Sequence, residues 1–279
     1  MRILFGLMLA AISSAAFADH DCRYSAERNL DIDPAGLQRL VLALGSSDLH
    51  VEGVAGLKRI EVRGKACASD ESWLKELTVD QERGSDRVTV STNKNSPTRI
   101  HMWGSSYAYI DLSVRLPAEL ALDIDDGSGD AIVSNVASLK FVAGSGDLDV
   151  RHVAGDMVVR LGSGDVIADD IGNLTIERSG SGDVRATKVR GDIKVGHVGS
   201  GDLRFEGVKG GVNIESVGSG DVMVEQAGGT VEVGSIGSGD VTVNGVGGDF
   251  IVHAAGSGDL RHKQVTGKVQ VPKRHEEDD

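Results

Sequence analysis

Eight aspartates close the tetrapeptide Gly-Ser-Gly-Asp: Asp130, Asp147, Asp165, Asp183, Asp202, Asp221, Asp240 and Asp259. Their spacings are 17, 18 and 18 residues, then 19 throughout. Carboxylates at a fixed interval suit two kinds of chemistry. They can act as hard oxygen ligands for a cation such as calcium, or they can accept hydrogen bonds from exposed turn amides. The calcium reading takes Asp147, Asp165, Asp183, Asp202, Asp221 and Asp240 as ligands. Calcium-binding nonapeptide repeats place their aspartate in G-G-x-G-x-D, a spacing this chain lacks. Turn capping is therefore the first reading and calcium the second.

The stretch "NKNSPTRIHMWGSSYAYI" (93–110) holds Trp103, Tyr107 and Tyr109 in a chain whose aromatics amount to 4%. Aromatic rings on a loop could stack on sugars or on a protein partner, which makes these three the binding candidates. Packing over the end of a domain is the plainer alternative, and Trp73 falls in the same irregular region.

Other motifs carry less. The Gly-Ser-Gly serines are not nucleophiles, because a nucleophile elbow needs G-x-S-x-G on a strand-to-helix turn with a partner histidine. Helix N-termini do not follow these loops, so they are not phosphate cradles. Arg190-Gly191-Asp192 spells an integrin-binding tripeptide but also fits a recurrent turn, x-G-[DNG]. The histidines show no metal-ligand spacing. No catalytic residue and no cofactor is expected.

Length and composition bound the rest. The chain has 279 residues, 38 of them glycine, and a formal charge of −13. Such acidity disfavours nucleic acid and anionic lipid as partners. Residues 1–18 read as a secretory leader: Arg2, the apolar run Ile3–Ala11, then an Ala16-Phe17-Ala18 cleavage site. That run is too short to span a membrane. Export places Cys22 and Cys67 in an oxidising compartment, where one disulfide is the economical reading.

What positions the aspartates is the repeat itself. Val241, Val243 and Val246 precede a second turn, and Phe250, Val252 and Ala255 follow it; Val222, Val224, Val231, Val233 and Ile236 mark the unit before. Each unit is thus two short strands and two turns. Alone it cannot bury its apolar side; stacked on copies of itself it can. The expected fold is all-β: a single-stranded parallel β-helix, or solenoid, of about 18–19 residues per coil. Glycine is assigned to the corners for its access to positive φ. "GSSDLHVEGVAGLKRIEV" (45–62), "LTVDQERGSDRVTV" (77–90) and "YIDLSVRLPAELALDI" (109–124) read as degenerate coils of the same kind, from about residue 38 onwards. The division is a leader (1–18), degenerate N-terminal coils and cap (19–126), the regular solenoid (127–271), and a charged, disordered tail (272–279). Pro272 and "KRHEEDD" would stop the addition of further coils.

The exported start, the GSGD turns followed by alternating apolar residues and the G-[DNG] second turns resemble the bacterial adhesin-type families that include the head GIN domain. The resemblance covers roughly 38–271. It implies a right-handed β-helix and a non-enzymatic envelope or surface role, with a protein or glycan as ligand. It brings no catalytic residues. The alternative is a carbohydrate-active β-helix protein, which needs acidic and basic residues clustered in a groove of long loops. The oligomeric state is not legible in the sequence.

Overall fold

A computed structural model describes residues 22–92 and 106–272. The leader (1–18) and residues 273–279 of the tail lie outside the described residues. Apart from a 3-10 turn at Glu71–Lys75, the secondary structure is all β, a solenoid of about eight turns.

The regular coils show how the sequence dictates the path. Strand Val184–Val189 leads through a three-residue corner to Ile193–Val198, and a Gly-Ser-Gly-Asp corner leads on to Leu203–Val208. Strands that follow this corner form the front sheet, where Val184 pairs with Leu203, Leu203 with Val222 and Val222 with Val241, all parallel. Strands that follow the other corner form the back sheet, where Ile193, Val212, Val231 and Phe250 stack in the same way. In the seven strands from Val184–Val189 to Val241–Val246 the first, third and sixth positions face inward and are buried. The columns they form, such as Val150, Ala168, Ala186, Phe205, Val224 and Val243, make one continuous core. Removing a water-exposed face from each β-branched residue is the dominant stabilising term.

Inward positions one and three obey strand alternation; position six does not. On the front sheet the reason is a column of left-handed residues at position five: Asn135, His152, Asp170, Lys188, Gly207, Gln226, Gly245 and Gln264, with φ between 52° and 74°. One residue in this conformation turns the strand so that the sixth side chain comes back to the core.

The drift in repeat spacing has a local cause. The back strand Ser138–Ala143 places its last inward side chain, Ala143, opposite Leu161 in strict alternation. Residues 154–156 stand where the coil before has only 137 and 138, which lengthens the repeat from 17 to 18. In the coil ending at Ser179 the corner is one residue shorter and the back strand one longer, so 18 is kept. Arg190 then lengthens the next corner, and the coil settles at 19 residues.

Two expectations are corrected. The glycine preceding each corner aspartate does not have positive φ. Gly146, Gly164, Gly182, Gly201, Gly220, Gly239 and Gly258 are buried, and a Cβ there would lie 1.8–2.0 Å from the carbonyl oxygen of the matching glycine one coil earlier. Close contact between coils, rather than backbone conformation, demands glycine. The N-terminal segments also do not stack as successive coils. Val79–Arg83 and Arg87–Thr92 form an antiparallel hairpin. Arg39–Ala43 lies between Arg87–Thr92 and Ala121–Asp126, while Leu49–Val54 lies between Ala108–Pro117 and Ala131–Val136. The segment 39–54 is therefore enclosed by strands that come later in the chain. Ile60–Ala68 and Tyr24–Ile32 add antiparallel to the front sheet and cover its first edge. An edge covered by antiparallel strands no longer offers the parallel template on which a further coil could grow.

Candidate functional site

The corner aspartates stack as a ladder. Each backbone N–H donates to Oδ1 of the aspartate one coil earlier: Asp147 to Asp130 at 3.0 Å, Asp165 to Asp147 at 2.8 Å, Asp183 to Asp165 at 2.9 Å, and Asp202 to Asp183 at 2.8 Å. Asp221, Asp240 and Asp259 continue it at 2.8, 2.8 and 2.7 Å. Asp48 starts the ladder by accepting the N–H of Asp130 at 3.2 Å. Each aspartate carbonyl also accepts an N–H from the coil before, as Asp202 does from Val184 at 2.9 Å and Asp221 from Leu203 at 2.8 Å. From Asp130 to Asp240, one carboxylate oxygen per corner thus ties that corner to the next coil. Neighbouring charges about 5 Å apart repel by only ~1 kcal/mol in water, which hydrogen bonds from the turn amides offset. At the far end Arg261 bridges Oδ2 of Asp240 and of Asp259, at 2.7 and 2.6 Å. Among the described residues no three or more His, Cys, Asp or Glu side chains are grouped to hold a metal. The aspartates are brought together as a ladder of hydrogen bonds that runs from coil to coil.

The second corner has a mixed ladder of the same design. Asn173 Oδ1 accepts from Asp192 N–H at 2.9 Å, Asp192 Oδ1 from Gly211 N–H at 2.8 Å, and Asp249 Oδ1 from Lys268 N–H at 2.7 Å. This absorbs the Arg-Gly-Asp tripeptide. Asp192 holds the next corner, and Arg190 donates to Asp170 and to the carbonyls of Val153 and Ala154.

The left-handed column carries a cluster that spacing alone does not reveal. His152 Nδ1 lies 2.7 Å from Oδ2 of Asp170, whose other oxygen meets Arg190. Asp169 accepts from the Thr187 hydroxyl at 2.6 Å and from Lys188 Nζ at 3.1 Å. The Asp170 carboxyl is held below its usual range, first by the bond to His152 and then by the charge of Arg190. Asp169 is lowered chiefly by the Thr187 hydroxyl, with Lys188 adding to it. The signal was present in the sequence: Asn, His, Asp, Lys, Gly and Gln occupy the place before each third apolar residue. Asn, Asp and His are enriched in this conformation. Elsewhere His197 bonds to Ser216 and His253 to Glu232, both at 2.7 Å.

Two of the three aromatic candidates, Tyr107 and Tyr109, fall at the covered end. Trp103 lies outside the described residues. Tyr107 and Tyr109 are half-buried, with ring centroids 5.9 Å apart, and the Tyr107 hydroxyl accepts the N–H of Arg23 at 3.0 Å. Tyr109 sits opposite Cys67 in the antiparallel register, and Cys67 sits opposite Ser25. Cys22 and Cys67 are joined by a disulfide with Cα atoms 5.6 Å apart. Trp73 packs against the core from the 3-10 turn. The two tyrosines thus form one cluster with the disulfide that fastens the first strand.

The fold is shared with solved bacterial proteins. A "putative lipid binding protein" from Parabacteroides distasonis ATCC 8503 is 20% identical, over 86% of this chain and 96% of that one, with a TM-score of 0.54. A "putative adhesin" from the same organism is 13% identical, over 86% and 97%, with a TM-score of 0.53. At such identities the likeness is one of fold. No curated protein matches the chain. The Toastrack DUF4097 family profile matches residues 38–278, and the chain belongs to that family.

Proposed function

We propose that this is an exported, non-enzymatic protein of the cell envelope or surface that uses the solenoid as a rigid binding scaffold, with an adhesin-like role. The observation that carries the reading is the use made of its polar residues. The corner carboxylates are engaged with backbone amides, and outward side chains pair across coils, as Arg204 does with Glu225 at 3.1 Å and Arg39 with Asp123 at 2.7 Å. Such pairs stabilise little but leave a flat, charged surface rather than a reactive groove. The leader supports export to the periplasm or cell surface, and no helix among the described residues is long and apolar enough to cross a membrane. The names given to proteins of the same fold, adhesin and lipid-binding protein, support binding over turnover. The ligand surface in this reading is the N-terminal cap within 19–126, with Tyr107, Tyr109 and Trp103 as the residues that would make contact. The regular coils, 127–271, act as the spacer.

The test is glycan-array binding and capture from the envelope fraction with the wild type and with Trp103→Ala/Tyr107→Ala/Tyr109→Ala. Loss of a specific ligand in the variant, with an unchanged melting curve, supports the reading. Equal capture by both removes the aromatic residues from it. Depolymerisation of an acidic polysaccharide by the wild type replaces it with a carbohydrate-active enzyme.

A further inference from the structure

The two faces of the solenoid use their cations differently. On the front sheet Arg151 meets Asp149 at 3.3 Å, Lys188 meets Asp169 at 3.1 Å and Arg204 meets Glu225 at 3.1 Å. On the back sheet the strand segments 138–143, 157–161, 174–179 and 193–198 each carry one exposed, outward Lys or Arg: Lys140, Arg160, Arg178 and Lys194. Among the described residues none of the four makes an ion pair or a side-chain hydrogen bond. Arg160 and Arg178 stand directly opposite each other in the parallel register. Thr175, in the coil of Arg178, stands opposite Lys194. His197 is next in the arginine column, but its Nδ1 bonds to Ser216 at 2.7 Å and its other nitrogen lies 3.8 Å from Glu215.

Stacked guanidinium groups with no carboxylate between them repel one another, and a bound anion relieves that repulsion. The four strand segments hold these four cations against one carboxylate, Glu177, in a chain of formal charge −13. The band is bounded in length. One coil before Lys140 the back strand holds Asp123 and Asp125, and the coils after Lys194 hold Glu215 and Glu232. It is bounded in width as well. The column of Asp147, Asp165, Asp183 and Asp202 runs along one margin of the back sheet, and Asp156 and Asp192 stand along the other. A broad anionic surface such as a bilayer would meet those margins; a narrow anionic chain lying along the rod would not. An acidic peptide could match the charges but not the backbone. The back strands are hydrogen-bonded to the coils on both sides, so no strand can be added over this face.

We propose that Lys140, Arg160, Arg178 and Lys194 form a binding face for a short stretch of acidic polysaccharide, one uronate carboxylate to each coil. Successive coils are ~4.8 Å apart, so the cations recur along the axis much as carboxylates recur along an extended chain of sugar acids. Arg160 and Arg178 take carboxylates in bidentate fashion, and the two lysines act as point charges at the ends. Thr175 offers a hydroxyl to the sugar ring within the band. The acidic stretches beyond it limit the site to about four sugars at one per strand spacing. The coils then bind as well as space, at a face separate from the tyrosines and independent of their role.

The test titrates the full chain with tetragalacturonate and follows it by NMR. Saturable shifts at Lys140, Arg160, Arg178 and Lys194 are expected, weakening with salt. Digalacturonate should bind roughly tenfold more weakly, and neutral maltotetraose should not bind. Arg160→Gln/Arg178→Gln should weaken tetragalacturonate roughly tenfold. Lys263→Gln/Lys268→Gln, the same change of charge at the last coil, should leave it unchanged. In the wild type the ligand should also protect Lys140 and Lys194 from chemical acetylation, a readout that needs no variant to fold. Equal weakening by the two pairs of substitutions overturns the proposal, since net charge alone would then govern binding. Binding that survives in the arginine variant and is lost in Trp103→Ala/Tyr107→Ala/Tyr109→Ala also overturns it and assigns the sugar to the N-terminal cap. Tetraglutamate bound as tightly as tetragalacturonate, or phosphatidylglycerol vesicles shielding the same lysines, would make the face a peptide or lipid contact and overturn it too. So would the absence of saturable binding.

Discussion

The backbone N–H of Asp221 donates to Oδ1 of Asp202 at 2.8 Å, and Asp221 Oδ1 accepts the N–H of Asp240 at 2.8 Å. Each aspartate is thus acceptor to one neighbour and donor to the other. Asp202→Ala removes the acceptor and should lower stability by about 1 kcal/mol. Asp202→Asn keeps an oxygen in place and removes one charge from the column, so it should stay within about 0.5 kcal/mol of wild type. Urea midpoints distinguish the two. Millimolar calcium should leave both the wild type and the Asn variant where EDTA leaves them. A calcium-dependent rise confined to the wild type would restore the cation reading.

Close packing between corners sets a harder limit. A Cβ at Gly201 would meet Gly182 O at 2.0 Å, and that atom belongs to the backbone of a stacked coil. Gly201→Ala should force the coils apart and cost about 3 kcal/mol, at the upper end for overpacking. Ser200, one residue away and exposed, should accept alanine within about 0.5 kcal/mol. Thermal melts of the two variants make the comparison.

Conformation and space are separable at the left-handed column. Gly245 has φ +74°, and no atom would come closer than 3.6 Å to an added Cβ. Gly245→Ala should therefore cost about 1 kcal/mol through the backbone alone. Gln226 holds the same place one coil earlier with φ 59°. Gln226→Gly should be neutral or stabilise by a few tenths of a kcal/mol, because relief of strain outweighs the added freedom of the unfolded chain. Opposite signs for these two substitutions at equivalent positions are the expected result.

Asp170 links the cluster to pH. Its carboxyl titrates below its unfolded value because of His152 and Arg190. A lowered folded pKa stabilises above the unfolded pKa, about 4, and that contribution is lost as pH falls through the folded value. Urea midpoints of wild type and Asp170→Asn should differ most above the unfolded pKa and draw together as the pH falls below it. A gap that stays constant down to pH 2 would mean that the charge on Asp170 contributes nothing.

The sequence reading reached the regular coils because each one repeats the same demand. Val241, Val243 and Val246 are inward in the structure as their pattern required. It did not reach the order of the first strands. Nothing in residues 39–54 indicates that strands Arg87–Thr92 and Ala108–Pro117 will lie outside them, since stacking order depends on which edges remain open rather than on local pattern. The hairpin at 79–92 followed the same apolar alternation as a coil, and alternation is blind to strand direction. Glycine at the corners was assigned to the wrong physical cause because composition records the missing side chain but not what lies against it. His152, Asp170 and Arg190 come together only when coils of 18 and 19 residues are superposed.

The equal register of coils 184–202, 203–221 and 222–240 makes length an independent variable. Excising 203–221 would join Asp202 to Val222 and set Val184 beside Val222, each residue finding a partner of the type it lost. The molecule would shorten by about 4.8 Å with both ends intact. A lineage of such chains could therefore adjust reach, in steps of one strand spacing, without redesigning whatever its two tips touch.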